Sequence, residues 1–103
     1  MTVDADCPFC RIARGEEDSQ LILADEVALA FLDRRPVFFG HCLVIPRGHY
    51  VTLADVPPAL LGPLFARVQL VARAVEQGLQ ADGSLVVINN RVSQSVPHLH
   101  AHV

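Results

Sequence analysis

The sequence predicts an α+β domain in which one main helix packs against an antiparallel sheet of about five strands. Apolar segments of strand length, bounded by Asp, Gly and Pro, occur on both sides of a single stretch with helical periodicity. The chain has 103 residues, of which 51% are hydrophobic, and this suits one domain, residues 1–103, with one core.

The predicted elements follow a simple order along the chain. Five segments of strand length are bounded by turn-forming residues: 21–24, 27–32, 41–45, 85–88 and 98–103. Apolar residues recur at helical spacing between the third and fourth segments: Leu60, Leu64, Val68, Val71, Ala72, Val75 and Leu79. Asp55 can cap this helix, whereas Pro63 predicts either a kink or a helix that begins there. The segment 85–88 is predicted to be buried.

Composition excludes several classes of function. The net charge is −3, and all eight basic residues are arginines, so a nucleic-acid partner is not expected and lysine-based phosphate or Schiff-base chemistry is excluded. No apolar run approaches the roughly 20 residues that cross a bilayer, and residues 1–6 do not resemble a secretory signal. We therefore expect a cytoplasmic protein without a membrane partner. Because the three cysteines are an odd number in a chain expected to be cytoplasmic, we do not expect structural disulfides.

Residues 98–103 alternate histidine with an apolar residue, which places His98, His100 and His102 on one face of a strand about 6.6–6.8 Å apart. We predict that this face is exposed and that Leu99, Ala101 and Val103 point into the core. A lone histidine is usually a surface or packed residue, but three in strict alternation indicate a function. Such a row can ligate a catalytic zinc, or one imidazole can attack phosphorus while its neighbours neutralise phosphate charge.

The pattern resembles the His-x-His-x-His motif of the histidine-triad superfamily. Other stretches are similar to that family in order and spacing: 7–12 (CPFCRI), 40–49 (GHCLVIPRGH), 89–90 (NN) and 94–96 (QSV). The chain is most similar to the bacterial Hint-like branch. A departure is the loop 90–94, which lacks the family's usual glycine. The chain is also expected to lack the C-terminal tail that family members usually carry and that helps to choose the leaving group.

The resemblance implies roles for individual residues. His100 is the implied nucleophile, and His102 and His41 are implied to contact phosphate oxygens. Asp33 is implied to bind the ribose hydroxyls. The remaining implied substrate-binding residues are the phosphate or leaving-group donors Gln94 and Ser95, the apolar base wall Phe9, Ile12 and Phe31, and Asn89 on the approach to the histidines. The base wall is equally consistent with ordinary core packing.

The resemblance also implies a structural zinc site formed by Cys7, Cys10, His49 and His98. Four protein ligands leave no open coordination position, so such an ion would be structural and not catalytic. The alternative is a pair of buried thiols without metal. Cys42 is interpreted as a core residue.

The leading hypothesis is therefore a nucleotide-binding hydrolase or transferase, acting on a purine nucleoside phosphoramidate or phosphoanhydride through a nucleotidyl-histidine. One alternative is a zinc-dependent hydrolase that uses the histidine row as catalytic ligands. The other is a nucleotide-binding interaction module with little turnover. The resemblance also implies a homodimer that continues the sheet, which would cover an open sheet edge.

Overall fold

A computed structural model describes residues 6–103 and confirms the predicted α+β architecture. Residues 1–5, which belong to the segment interpreted as lacking a secretory signal, lie outside the described residues. The elements in chain order are α1 (Pro8–Ala13), β1 (Leu21–Ala24), β2 (Ala28–Leu32), β3 (Cys42–Pro46), a 3₁₀ turn (Leu53–Asp55), α2 (Pro58–Gly78), β4 (Val87–Ile88) and β5 (Ala101–His102). The strands form one antiparallel sheet in the order β1-β2-β3-β5-β4.

The hairpin of β1 and β2 turns at Asp25. Its Oδ1 atom accepts hydrogen bonds from the backbone N–H groups of Val27 at 2.8 Å and Ala28 at 3.0 Å, as expected of an Asx-type turn. The backbone N–H of Asp25 also donates to the carbonyl of Ala28 at 3.0 Å. The turn is therefore closed by both side-chain and backbone hydrogen bonds, and it sets the register of the two strands.

The main helix begins at Pro58 and continues through Pro63, so the interpretation that it begins at Pro63 is wrong. Proline is tolerated here because Pro63 lies near the helix start, where its missing N–H costs one bond, to the carbonyl of Ala59. By length and composition alone α2 could cross a membrane, with a mean hydropathy of 1.2 over a window that is 17% buried. This is weak evidence, since the core helix of a soluble fold passes the same test.

Two apolar clusters lie on opposite faces of the sheet, because successive residues of a strand point to opposite sides. The cluster under α2 contains Ala28, Ala30, Cys42, Val44, Val56, Leu64, Val68, Val71, Leu99 and Ala101. The cluster under α1 contains Cys7, Phe9, Cys10, Ile12, Leu29, Phe31, Leu43 and Ile45. The core positions predicted for Leu99, Ala101 and Cys42 are thus confirmed, and Val103 is half-buried against the α2 cluster. The α1 side of the sheet carries the histidines.

The fourth predicted strand differs from expectation. Only Val87–Ile88 pairs with β5, and both residues are half-buried. Leu85 and Val86 are 74% and 42% exposed, so the prediction of a buried strand over 85–88 is wrong. This edge of the sheet has no covering element beside it among the described residues, and an apolar sequence alone could not reveal that. The predicted last strand, 98–103, is likewise reduced to Ala101–His102.

Candidate active site

The histidine row (His98, His100 and His102) faces α1, not solvent. His98 is 0% exposed and His100 is 3% exposed, while His102 is half-buried, so the expectation of an exposed row is wrong for the first two. The cause is Phe9 on α1, whose ring meets the rings of His98 and His100 edge-on at centroid distances of 5.8 and 5.2 Å. The row therefore lies at the floor of a covered site.

A cavity of about 870 Å³ opens beside the row, and we call it the histidine cavity. Many of the predicted site residues line it: Phe9, Ile12, Phe31, Asp33, Ser95, His100 and His102. Apolar side chains form one part of its wall, and imidazoles and a carboxylate form another. This combination suits a ligand that carries a flat apolar group and an anionic group.

The hydrogen bond of His100 fixes its tautomer. Its Nδ1 atom lies 2.8 Å from the carbonyl oxygen of His98, two residues earlier on the same chain segment. A carbonyl can only accept, so Nδ1 carries the proton and Nε2 keeps its lone pair. In its neutral form His100 thus presents Nε2 as an unprotonated nitrogen, the form required of a nucleophile.

A second chain of hydrogen bonds orders His41 and His102. The backbone N–H of Val37 donates to Nδ1 of His41 at 3.1 Å, so His41 carries its proton on Nε2. That Nε2 lies 3.0 Å from Nδ1 of His102 and 3.6 Å from Oδ2 of Asp33. His102 therefore accepts at Nδ1, which leaves an N–H on Nε2. The ring centroids of His102 and His100 lie 4.9 Å apart, so the two rings are neighbours.

The histidines at the two ends of the row are held in the neutral form. Burial lowers the pKa of His98 from 6.5 to about 4, although its hydrogen bond to the carbonyl of Pro46 acts in the opposite direction. Burial also lowers the pKa of His102, and the neighbouring His100 and His41 lower it further. Neutral rings retain both an acceptor and a donor nitrogen, as the hydrogen-bond assignments above require.

Cys7, Cys10, His49 and His98 converge behind the row, with their ligand atoms all within 4.8 Å of one another. Nδ1 of His98 lies 3.3 Å from Sγ of Cys7 and 3.5 Å from Sγ of Cys10, and Nδ1 of His49 lies 3.3 Å from Sγ of Cys10. Tetrahedral zinc with ordinary bond lengths requires a sulfur–nitrogen separation of about 3.5 Å. The residues therefore fit the ion.

Two further features suit this set to a metal. Nε2 of His98 lies 3.1 Å from the carbonyl of Pro46, which holds the proton there and turns the Nδ1 lone pair toward the thiols. Burial raises the pKa of the Cys7 thiol above its ordinary value, so metal binding would release a proton. A second group, Asp33, His41 and His102, also lies close enough to hold an ion. Among the described residues, His98 belongs to the first of these two possible metal sites and His102 to the second. His100 belongs to neither.

Three predicted residues lie apart from the wall of the histidine cavity. The Gln94 side chain donates to the carbonyl of Val51 at 2.5 Å and accepts from the backbone N–H of Arg91 at 2.9 Å. Asn89 and His41 line a second cavity of about 640 Å³, which also reaches His102. Sequence reasoning did not include the polar residues at the mouth of the histidine cavity: Glu17, Asp18, Ser19, Gln20, Arg34 and Arg35. The hairpin register could have identified these residues, because it places residues 18–20 beside residues 32–34.

An antiparallel sheet that carries an alternating row of three histidines, with the middle ring beside a cavity, defines the histidine-triad class of proteins. The sequence comparison agrees. The chain matches the HIT domain family over residues 14–103 and belongs to that family. The match begins after Cys7 and Cys10, so the cysteine pair lies outside the matched stretch.

Named relatives and a solved structure support this assignment. The chain is 34% identical over 104 residues to adenylylsulfatase HINT3 of Arabidopsis thaliana, covering 99% of this chain and 53% of that protein. It is 33% identical over 104 residues to adenosine 5′-monophosphoramidase HNT1 of Saccharomyces cerevisiae, covering 99% and 63%. It is similar to the crystal structure of a Zn-bound histidine triad family protein from Mycobacterium smegmatis, with a TM-score of 0.88, 42% identity and coverage of 95% and 73%. The chain thus spans about half to three quarters of these proteins.

Proposed function

We propose that this protein is a nucleotide hydrolase or transferase that cleaves a purine nucleoside phosphoramidate or phosphoanhydride through a nucleotidyl-histidine on His100. The observation that carries the proposal is the hydrogen bond from Nδ1 of His100 to the carbonyl of His98, because it leaves Nε2 unprotonated at the cavity wall. Two relatives are named for hydrolysis of adenosine 5′-monophosphate derivatives.

The reaction proceeds in two displacements at phosphorus. Nε2 of His100 attacks the phosphorus attached to the nucleoside, forming an N–P bond as the bond to the leaving group breaks. The leaving group departs with the bonding electron pair and takes up a proton. Water then attacks the same phosphorus, the N–P bond breaks and its electron pair returns to His100. The net reaction consumes one water and releases the nucleoside monophosphate and the protonated leaving group.

The neighbouring groups have roles that follow from their positions. The N–H on Nε2 of His102 donates to a phosphate oxygen, and His41 fixes that donor through its 3.0 Å hydrogen bond. Asp33 receives the ribose hydroxyls, and Phe9, Ile12 and Phe31 hold the base. Ser95 lines the same cavity and donates near the leaving group. Gln94 and Asn89 lie outside this wall, and their substrate-binding role stays a prediction from the resemblance.

The nucleophile is tested with His100→Ala. We expect turnover of an adenosine phosphoramidate to be lost, while nucleotide affinity changes by no more than about 1–2 kcal/mol, since most phosphate contacts remain. A nucleotidyl adduct should be detected by intact mass after rapid quenching of the wild type and be absent from the variant. Equal loss in His98→Ala and His100→Ala, reversed by added zinc, would instead support the catalytic-zinc alternative. Nucleotide binding with negligible turnover on every leaving group would support an interaction module.

The proposal includes a structural zinc held by Cys7, Cys10, His49 and His98. The sulfur and nitrogen donors suit zinc better than magnesium or calcium, and the interatomic distances support the set. Bound there, the ion would hold α1 against the histidine row and leave the chemistry to His100. All three cysteines carry free thiols, and thiols that bind zinc must stay reduced, which supports a cytoplasmic location.

The natural partner, in this proposal, is a second copy of the chain. Large apolar residues are exposed on α2 and around the β4 edge, namely Val37, Phe38, Phe39, Phe65, Leu70, Leu79 and Leu85. Phe39 is 96% exposed. Such a surface is unfavourable in water and typical of an interface. A two-fold partner that packs on α2 and extends the sheet at β4 would cover it. The net charge of −3 argues against a nucleic-acid partner.

A further inference from the structure

Ser19 lies at the open end of the β1–β2 hairpin, opposite Asp33. Leu21 pairs with Phe31, and the backbone N–H of Leu32 donates to the carbonyl of Gln20 at 3.0 Å. Extending that register by one residue places Ser19 opposite Asp33, and directly opposed residues of an antiparallel pair share a face. Both residues line the histidine cavity.

The hydroxyl of Ser19 is buried without a partner. Its Oγ atom has no exposed surface and makes no hydrogen bond to any described residue. Leaving a buried hydroxyl unsatisfied is unfavourable, so such an atom requires an explanation. The segment around it is fixed, because Arg34 donates to the carbonyl of Asp18 at 3.1 Å and Leu32 donates to that of Gln20.

We propose that Ser19 is a specificity-determining residue whose hydroxyl hydrogen-bonds to a ribose hydroxyl of the bound nucleotide, beside Asp33. This inference rests on the proposed function. A carboxylate only accepts hydrogen bonds, whereas a ribose hydroxyl both donates and accepts. Asp33 also receives the backbone N–H of Arg35 at 3.0 Å on Oδ1. Rotation about the Cα–Cβ bond of Ser19 turns the Oγ atom from its buried position into the cavity, where it supplies the donor that Asp33 lacks and is itself satisfied by the ribose hydroxyl.

The sugar, and not the base, is the assigned ligand because of where the polar and apolar groups lie. The apolar part of the cavity wall is formed by Phe9, Ile12 and Phe31, which suits the flat base. Ser19 and Asp33 face each other at the opposite end of the paired strands from the Asp25 turn. A ligand group that meets both of them must donate a hydrogen bond to Asp33 and accept one from Ser19, and a ribose hydroxyl does both.

The test measures kcat/KM for three adenosine phosphoramidates, with ribose, 2′-deoxyribose and 3′-deoxyribose, in the wild type, Ser19→Ala and Ser84→Ala. Ser84 is exposed and bonds only to Glu76 among the described residues, at 2.7 Å, so its variant is a matched control with unchanged activity. We expect Ser19→Ala to lower kcat/KM about 2- to 10-fold for the ribonucleotide. The same substitution should have no effect on the one deoxy analogue that lacks the contacted hydroxyl.

Two outcomes would overturn the inference: no change for the ribonucleotide, or an equal loss on all three sugars in Ser19→Ala. If the wild type turns over none of the three compounds, the proposed function fails, and calorimetric binding of AMP and its two deoxy forms then tests Ser19 independently. Weaker AMP binding by Ser19→Ala, without a loss for one deoxy form, supports the ribose contact. If the wild type and Ser19→Ala each bind AMP and its two deoxy forms with the same affinity, the inference is overturned.

Discussion

Each histidine of the row uses its two ring nitrogens for different purposes. His98 directs Nε2 to the carbonyl of Pro46 and Nδ1 to the thiols. His100 directs Nδ1 to backbone and keeps Nε2 for the cavity, whereas His102 accepts from His41. Three identical side chains therefore differ in which ring nitrogen is engaged, and this difference supports the separate roles that we propose for them: metal binding, attack on phosphorus and phosphate binding.

The lowered pKa of His98 makes stability depend on pH in the metal-free protein. Above pH 6.5 the ring is neutral in both the folded and unfolded states. Between pH 6.5 and about 4 the unfolded chain binds a proton that the folded chain does not, so stability decreases as the pH falls. A decrease in pKa from 6.5 to about 4 corresponds to a loss of about 3 kcal/mol in the free energy of unfolding. This loss is complete below pH 4. Urea unfolding in EDTA at steps between pH 7 and 4 measures this loss.

His98→Leu is the control for that measurement, because it keeps an apolar side chain and removes the titrating group. Its stability should fall less steeply with acidification than that of the wild type. Identical slopes in the two proteins would show that other groups carry the effect.

At this scale the sequence predicted which residues share a face but not how deeply they are buried. Alternation is a local property of a strand, so the common face of His98, His100 and His102 follows from spacing alone. Their burial depends on α1, a distant segment whose packing has no periodic signal. The backbone donor to His41, Val37, is equally invisible, since it depends on the path of a loop.

At the scale of elements, the loop between β2 and β3 is fixed by Gly40. Its φ is +78°, and a Cβ at this position would lie 2.4 Å from Cδ1 of Leu79 at the end of α2. Gly40→Ala should therefore cost about 1–3 kcal/mol, mainly through backbone strain because the exposed Leu79 side chain can move aside, and it should disturb the adjacent His41. Thermal unfolding and kcat of the variant measure the two effects.

Gly62→Ala is the matched control for this substitution. Gly62 lies within α2, and no atom lies within 4 Å of its added Cβ. Alanine is favoured over glycine in a helix, so this variant should gain about 0.5–1 kcal/mol with unchanged activity. A destabilised Gly62→Ala or a neutral Gly40→Ala would contradict this account of the loop.

The second prediction at the scale of elements is that bound zinc holds α1 against the histidine row. Protein purified without added zinc should contain about one zinc ion per chain by metal analysis, with affinity falling on acidification as thiolates and imidazoles are protonated. Cys7→Ser should lose the metal and lower the melting temperature more than it lowers the chemical step on the remaining folded protein. The buried Cys42 lies in the other cluster, so Cys42→Ser should keep its zinc.

Metal-free wild-type protein with an unchanged melting temperature would show that Cys7 and Cys10 are ordinary buried thiols.

Prediction of α1 itself was incomplete for a physical reason. The helix has only six residues, Pro8–Ala13, too few for an apolar period to be recognised. The longer α2 and the hairpin were predictable because their periodicity and turn chemistry are repeated over many residues.

At the scale of the whole molecule, the exposed apolar surface predicts self-association. The 11.2 kDa chain should show twice that mass by light scattering at micromolar concentration. Leu70 is 54% exposed on α2, so Leu70→Glu should shift the mass toward that of the monomer. Gln69→Glu introduces the same charge at a neighbouring exposed position and should stay dimeric. A monomeric wild type would contradict the dimer proposal.

The strict alternation of the histidine row also limits how the chain can change in length. A one-residue insertion between His98 and His102 would reverse the facing of every following side chain, moving His102 toward the α2 cluster and an apolar residue to the cavity. Insertions in this segment are therefore tolerable only in pairs of residues. Residues 89–97, which follow β4 and precede the histidine row, have no sheet register to preserve and are free of that parity rule. Length variation in such proteins should accordingly collect before the first histidine.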